Sequence, residues 1–250
     1  MTAKLAAVLT VHNEEKQLDT CLQSVGFVDE IVVVLDRCTD GTKAIAEKYN
    51  AILVEGAWPI EGHRRNAGLD ATDADWLFEL DADERVTPEL GTEIRQFINS
   101  HDTGYALVPF DNYIGDRLVR YGWGCSWGVS SAPRLHAKGC KRWGEQRVHP
   151  SIVLKGPEHR LNARIDHYVD RNIADMLKRL DSYSTAKARD LREQPDGVGY
   201  ARNIRRMFSR FYKCYVTRKG YREGKYGFLI ALMAGLYPIL SYLKANLEDE

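Results

Sequence analysis

Three apolar runs in the first third of the chain each stop at a residue able to bind a polar ligand. Leu5–Val11 is followed by Asn13, Ile31–Leu35 by Asp36, and Trp76–Leu80 by Asp81-Ala82-Asp83-Glu84. The last places two carboxylates, Asp81 and Asp83, on one turn. Hard oxygen ligands of this kind suit Mg2+ or Mn2+, which normally keep water and substrate phosphate oxygens in their remaining positions. A metal so held would neutralise charge on a departing diphosphate. Taken alone the tripeptide is a weak signal, since a chain with 35 acidic residues meets D-x-D by chance and many such turns are merely solvated. Its position after an apolar strand, in line with Asp36, favours a ligand. Asp36 is acceptor-only when ionised and so suits a base N–H or ribose hydroxyls, whereas Thr39 and Asp40 read as caps of the next helix.

The elements that must position these residues follow from local pattern. Asn13 with Glu14-Glu15 reads as the cap and first turn of a helix through Leu18, Cys21, Leu22 and Val25. The unbroken Ile31–Leu35 run suits a strand buried on both faces of a parallel sheet. Thr39-Asp40-Gly41-Thr42 leads into a helix reaching Lys48, and a third strand follows near Ala51–Glu55. Arg64–Ala71 reads as a helix and Trp76–Leu80 as the fourth strand. Thr87-Pro88-Glu89 opens another helix, with Pro at a tolerated first-turn position. Such alternation predicts an α/β fold with a right-handed, mostly parallel sheet, whose ligands bind beyond the carboxyl ends of its strands. Asn13, Asp36 and Asp81 all fall there. After Tyr105–Pro109 the texture changes. Tyr113–Val119 reads as a hairpin turning at Gly115-Asp116, and the Gly- and Trp-rich stretch 121–144 as a loop or lid. Short strands are expected near Ser151–Leu154 and Asn162–His167, and a helix from Asn172 to Arg192. Gln194-Pro195-Asp196-Gly197 breaks the chain before two further helical stretches.

The 250 residues, 44% hydrophobic and 28% charged, are ample for a sizeable core. Net charge is zero, so nothing in the total demands nucleic acid. The distribution is uneven: between Tyr200 and Tyr226 there are nine basic residues against one acid, Glu223, which points to an anionic partner for the tail. Five scattered cysteines without a C-x-x-C pair argue against a disulfide framework or zinc site and for a reducing compartment. Met1-Thr2-Ala3-Lys4 runs straight into a strand-like segment without the features of a signal peptide, so a cytoplasmic location is expected.

Taken together, Leu9-Thr10-Val11-His12-Asn13-Glu14, Asp36 with Thr39-Asp40-Gly41-Thr42, Arg64-Arg65-Asn66-Ala67-Gly68 and Trp76–Glu84 resemble family 2 glycosyltransferases of GT-A fold. Four motifs in matching order are far more specific than any one. The Gly-Trp stretch, Arg134-Leu135, Arg147-Val148-His149 and the helical tail are similar to the bacterial branch that adds glucose to lipopolysaccharide core. The resemblance implies a Rossmann-like nucleotide-diphospho-sugar transferase fold with a helical C-terminal extension. Residues 1–170 would be catalytic, with 1–100 the nucleotide-sugar half and 101–170 the acceptor half, and 171–250 would be helical. It further implies that the backbone around Val11 and Asn13, with Asp36, holds base and ribose. Arg64 would approach the diphosphate with its guanidinium fork. Asp81 would contact ribose or metal, Asp83 would be the principal ligand of Mn2+ or Mg2+, and His167 would supply an imidazole. The implied donor is a UDP-sugar, UDP-glucose by resemblance, and the implied acceptor a lipid-linked or lipopolysaccharide-type glycan.

An inverting transfer needs a carboxylate or imidazole to deprotonate the acceptor hydroxyl. Relatives of the core-glucosyltransferase type show Val-His-Glu where this chain has Val148-His149-Pro150, so that carboxylate is missing. Glu145 and His149 are the catalytic candidates in its place. Trp123, Trp127 and Trp143, with Tyr113 and Tyr121, offer flat faces for a sugar ring, of which Trp123 and Trp127 are read as acceptor contacts. Arg134 suits an anionic acceptor or a structural ion pair. Phe228–Leu240 is strongly apolar but short for a membrane span and interrupted by Pro238. With the basic, aromatic segment before it, it suits an anionic membrane surface, placing the protein peripherally on the cytoplasmic face of the inner membrane. Core or homodimer packing of these helices is the competing reading. Two other functions share this outline. A sugar nucleotidyltransferase would want a Gly-rich, basic loop after the first strand, where His12-Asn13-Glu14-Glu15 is acidic. A non-catalytic, membrane-bound glycan-binding protein would not need the metal.

Overall fold

The computed structural model describes residues 3–124, 127–145, 151–193 and 197–248, which fall into two compact units. The first comprises Met1–Phe110 and Ser131–His167, the second Asp111–Ser130 and Tyr168–Glu250. The segment 111–130, expected within the acceptor half, thus groups with the C-terminal helices.

The first unit opens with β1 (Leu5–Val11), α1 (Leu18–Ser24), β2 (Glu30–Asp36), α2 (Thr42–Lys48), β3 (Ile52–Gly56), α3 (Glu61–Asp70) and β4 (Trp76–Leu80). These strands are parallel in the order β3-β2-β1-β4. Register sets Val11 opposite Leu35 and Leu9 opposite Leu80, so three strands end side by side. A short β5 (Glu84–Val86) leads into α4 (Pro88–Ser100), whose cap Thr87 accepts the Leu90 N–H. Alternation assigns the faces: Leu5, Ala7 and Leu9 join Trp76, Phe78 and Leu80 in the main core, while Val8, Val32 and Leu77 turn towards Leu69 of α3. α3 lies close on the sheet because position 68 has no side chain. A Cβ there would stand 2.7 Å from Val8 Cγ1 and 2.8 Å from Val34 Cγ2. Gly68→Ala is therefore expected to cost about 1–3 kcal/mol through overpacking, read as a lower Tm with an unchanged far-ultraviolet spectrum.

Two expectations are corrected here. α1 begins at Leu18, and Asn13 does not cap it. Asn13 takes φ +55°, and its side-chain carbonyl accepts the Thr39 N–H at 2.8 Å, tying the loop after β1 to the loop after β2. The stretch 121–144 is partly sheet. After β6 (Tyr105–Ile114) and β7 (Arg117–Val119) comes β8 (Ser131–Ala137), which lies between β4 and β6 and is antiparallel to both. Its sequence, Ser-Ala-Pro-Arg-Leu-His-Ala, lacks an apolar run because Arg134 and His136 are buried against acidic partners. β9 (Lys141–Trp143) pairs with β10 (Ile152–Leu154), β11 (Glu158–Arg160) is parallel to β6, and β12 (Ile165–Asp170) is antiparallel to β5.

In the second unit the hairpin turns at Gly115-Asp116, with Ile114 opposite Arg117 and Gly115 at the positive φ that a tight hairpin uses. Three helices follow: α5 (Ile173–Glu193), α6 (Tyr200–Tyr212) and α7 (Lys225–Leu247). A π-helical turn, Lys213–Thr217, and a 3-10 turn, Gly220–Glu223, join the last two. α7 does not stop at Pro238 but runs through it to Leu247, 23 residues in all. Its Ile230, Met233, Ala234 and Tyr237 pack with Trp123, Trp127, Met176 and Leu180. That burial outweighs the roughly 3 kcal/mol that an internal Pro costs.

Candidate functional site

The motif Arg64-Arg65-Asn66-Ala67-Gly68 occupies the middle of α3, and each of its functional side chains has a different strand to hold. Arg64 Nη1 reaches Asp36 Oδ2 at 3.2 Å, at the end of β2. Arg65 Nη2 reaches Asp81 Oδ1 at 3.1 Å, beyond β4. Asn66 exchanges two hydrogen bonds with the Trp143 backbone of β9, donating to its carbonyl at 2.9 Å and accepting its N–H at 3.0 Å. Gly68 gives α3 its close approach. One helical stretch therefore aligns the two acid-bearing strand ends.

Asp36 differs from the expectation of an open acceptor. Its side chain is 0% exposed, and it accepts from Arg37 Nε at 3.0 Å and Nη2 at 2.8 Å, from the Trp58 N–H at 3.1 Å and from Arg64. Burial would raise its pKa, but Arg37, the Trp58 N–H and Arg64 overcome it and hold the carboxyl below its usual range. A depressed carboxyl contributes stability above its ordinary pKa and loses it as pH falls through the folded value. Asp36→Asn is expected to lower stability at pH 7 and to flatten the acid limb below about pH 4, which urea titrations at several pH values would show. Around it, Val11 is buried, Asn13 clamps the two loops by accepting from Thr39, and Asp40 Oδ1 accepts the Thr42 N–H at 3.0 Å, although the N-cap of α2 is Gly41 rather than Thr39 or Asp40.

The acidic turn divides its labour. Asp81 is anchored by arginines, Oδ1 on Arg65 and Oδ2 on Arg134 Nη2 at 2.6 Å. Burial opposes its ionisation, yet Arg134 and Arg65 hold it well below the usual carboxylate range. Asp83 points elsewhere. Its Oδ2 lies 3.5 Å from His167 Nε2, and its buried Oδ1 has no hydrogen-bond partner among the described residues. Glu84, 0% exposed, bonds to Arg134 Nη2 and accepts the Asp81 N–H at 3.1 Å. Burial pushes it up to about 7 against the pull of Arg134. β12 sets His167 opposite Glu84. Burial would lower the imidazole pKa, but the Asp83 carboxylate raises it.

Ligand atoms of Asp83, Glu84 and His167 all lie within 4.8 Å of one another. Two carboxylates and an imidazole form a donor set suited to Mn2+ or Mg2+, and the unpartnered Asp83 oxygen is the feature a cation would satisfy. Asp83 and His167 come together as expected. Asp81, expected as a shared metal contact, is taken by two guanidiniums, and the carboxylate that lies near Asp83 and His167 is Glu84, itself held by Arg134 and the Asp81 N–H. The hint in the sequence was Glu84 three residues after Asp81, the spacing that lets its carboxylate close the turn onto the Asp81 N–H.

The acceptor expectations are corrected more sharply. Arg134 is buried and spent on Asp81 and Glu84. Trp127 is 0% exposed and Trp123 is buried in the core of the second unit, where Trp123 Nε1 donates to the Val119 carbonyl at 2.6 Å and Arg179 lies over the Trp127 ring. Neither offers a face to a sugar. Trp143 donates to Glu79 Oε2 at 2.8 Å beneath Arg65. Of the two base candidates, Glu145 is 84% exposed and 3.8 Å from His63 Nε2 in α3, and His149 lies outside the described residues.

Residues 6–129 match Glycosyl transferase family 2. The chain is 27% identical to the lipopolysaccharide core biosynthesis glycosyltransferase LpsC of Rhizobium meliloti, covering 96% of this chain and 91% of that one. It is 25% identical to an uncharacterised glycosyltransferase of Rickettsia conorii, covering 93% and 86% respectively. The crystal structure of S. aureus TarS 1-349 in complex with UDP superposes with a TM-score of 0.52 at 15% identity, over 88% of this chain and 75% of that one. The fold is that of the GT-A enzymes: a curled, mostly parallel sheet flanked by helices.

Proposed function

This chain belongs to glycosyl transferase family 2 and is a glycosyltransferase; from that premise we propose that it moves a hexose, glucose from UDP-glucose, with inversion, onto a membrane-borne acceptor of lipopolysaccharide-core type. The reading rests on one observation above all, the Asp83, Glu84 and His167 trio with its unpartnered carboxylate oxygen. When bound there, Mn2+ or Mg2+ neutralises charge on the leaving diphosphate. The chain's own residues do the rest. The backbone at Val11 and Asn13 receives base and ribose, with the buried Asp36 behind it holding Arg37 and Arg64 in place. Arg64, whose buried Nε has no hydrogen-bond partner among the described residues, turns a guanidinium towards the phosphates. Arg65 and Arg134 keep Asp81 ionised and the turn in place.

In the transfer the bond from sugar C1 to the diphosphate oxygen breaks as the acceptor oxygen bonds to C1 from the opposite face. The acceptor's proton passes to Glu145, the exposed carboxylate beside α3, with His149 as the alternative base. The similarity to LpsC supports a lipopolysaccharide-type acceptor, and the same reading places the protein peripherally on the cytoplasmic face of the inner membrane. A thermal-shift screen of sugar nucleotides with and without Mn2+ tests it. A donor at a hundredfold excess over Kd adds about 2.7 kcal/mol, a rise in Tm of roughly 5–10 °C for a chain of this size. UDP-glucose should produce it only with metal present. A panel giving no shift with any nucleotide sugar would overturn the reading.

A further inference from the structure

The apolar C-terminal segment and the basic segment before it have different fates. α7 is long and apolar enough to cross a membrane by length and composition, but Ile230, Ala231, Met233, Ala234 and Tyr237 are spent in the core of the second unit, and Phe228 in its first turn stays exposed. α6 is built the other way. Its inward side carries Asn203, buried, and Met207, whose carbonyl would lie 2.9 Å from a Cβ at Gly235 of α7. Its outward side carries Phe208 at 65% and Tyr212 at 60% exposure, one turn apart and so on one face. Val216, Tyr221 and Phe228 extend the exposed apolar set through the π and 3-10 turns.

The same segment carries exposed cations. Arg202, Arg205, Lys213, Lys219 and Lys225 are exposed, and none has an ion-pair partner among the described residues. The one acid of the segment, Glu223, faces the other way, accepting the Arg120 N–H at 2.8 Å and the Tyr121 N–H at 3.1 Å. Large exposed aromatics cost solvation unless something covers them, and unpaired cations among them select an anionic cover with an apolar interior. A helix lying in the plane of a bilayer meets both demands.

We propose that the outward face of α6, continued through the two turns to Phe228 at the start of α7, docks on an anionic phospholipid surface, while the rest of α7 packs in the protein core. The proposal deepens the membrane-borne acceptor reading and rests on it, by assigning the contact to a face built from Phe208, Tyr212, Arg205 and Lys213.

The test is co-sedimentation of the full chain with phosphatidylcholine vesicles containing increasing phosphatidylglycerol, with donor hydrolysis measured in parallel without vesicles. Binding should rise with phosphatidylglycerol and fall at high salt. Removing charge with R205Q/K213Q should weaken it about twenty-five-fold, at about fivefold per cation. F208S/Y212S should weaken it on the order of tenfold, and both variants should keep wild-type Tm and hydrolysis. Equal binding to neutral vesicles, or none to either, would overturn the proposal. So would a dimer in sedimentation velocity that F208S/Y212S dissolves, or an oligonucleotide that outcompetes the vesicles. Absent vesicle binding with intact hydrolysis sinks this inference alone, whereas intact vesicle binding without sugar-nucleotide hydrolysis sinks the catalytic reading alone.

Discussion

Asp83→Asn should reduce sugar transfer about a thousandfold, the loss of several kcal/mol of charge stabilisation at the leaving group, while leaving the protein folded. The geometry explains the second half. Asp83 Oδ1 is buried without a partner among the described residues, so neutralising this carboxylate costs no hydrogen bond at Oδ1 and weakens the His167 contact. Metal-free Tm should therefore be nearly unchanged. The Mn2+-dependent part of the donor-induced Tm rise should disappear. Asp81→Asn makes the contrast, because Asp81 receives two charge-assisted bonds from Arg65 and Arg134. That variant should lose stability first and activity as a consequence. Equal metal-free Tm losses in the two variants, or transfer retained by Asp83→Asn, would count against Asp83 as the ligand.

The second large effect concerns Arg134. If it were an acceptor contact, Arg134→Met would alter the acceptor KM and little else. The structure instead predicts a loss of about 3–5 kcal/mol of stability, the cost of leaving a buried charge without its partner, read as a lower urea midpoint. The loss has a pH signature. Burial raises Glu84 and Arg134 opposes the rise, so removing Arg134 raises it further. A carboxyl whose folded pKa is raised favours the folded state while protonated, and that stability is lost as pH climbs through the folded value. Arg134→Met should thus be least stable at alkaline pH and recover towards pH 5. Adding Glu84→Gln should flatten the pH dependence. A stability deficit independent of pH would mean that lost packing over Phe110, where Arg134 lies 5.5 Å from the ring, dominates instead.

The strand–helix alternation of β1 to β4, the cap at Thr87-Pro88 and the hairpin at Gly115-Asp116 were legible because each rests on neighbours within a few positions: apolar runs, first-turn chemistry, a tight turn at glycine. The strand-end rule brought Asn13, Asp36 and Asp81 to one edge for the same reason. The motif on α3 was visible as a motif, but its meaning was not. That Arg64, Arg65 and Asn66 serve β2, β4 and β9 in turn depends on partners 28, 16 and 77 residues away.

By itself, then, the sequence determined an α/β sheet with acids at its carboxyl edge and a basic, aromatic tail. Tertiary structure decided the roles within that frame. Asp81 became an arginine anchor and Glu84 came within 4.8 Å of Asp83 and His167, because Arg134 arrives from β8, a strand that looks like loop until its polar residues find buried partners. Trp123 and Trp127 turned inward and α7 ran through Pro238 because burying large apolar surface outweighs a local break. The same packing consumed the apolar helix and left the amphipathic one outside.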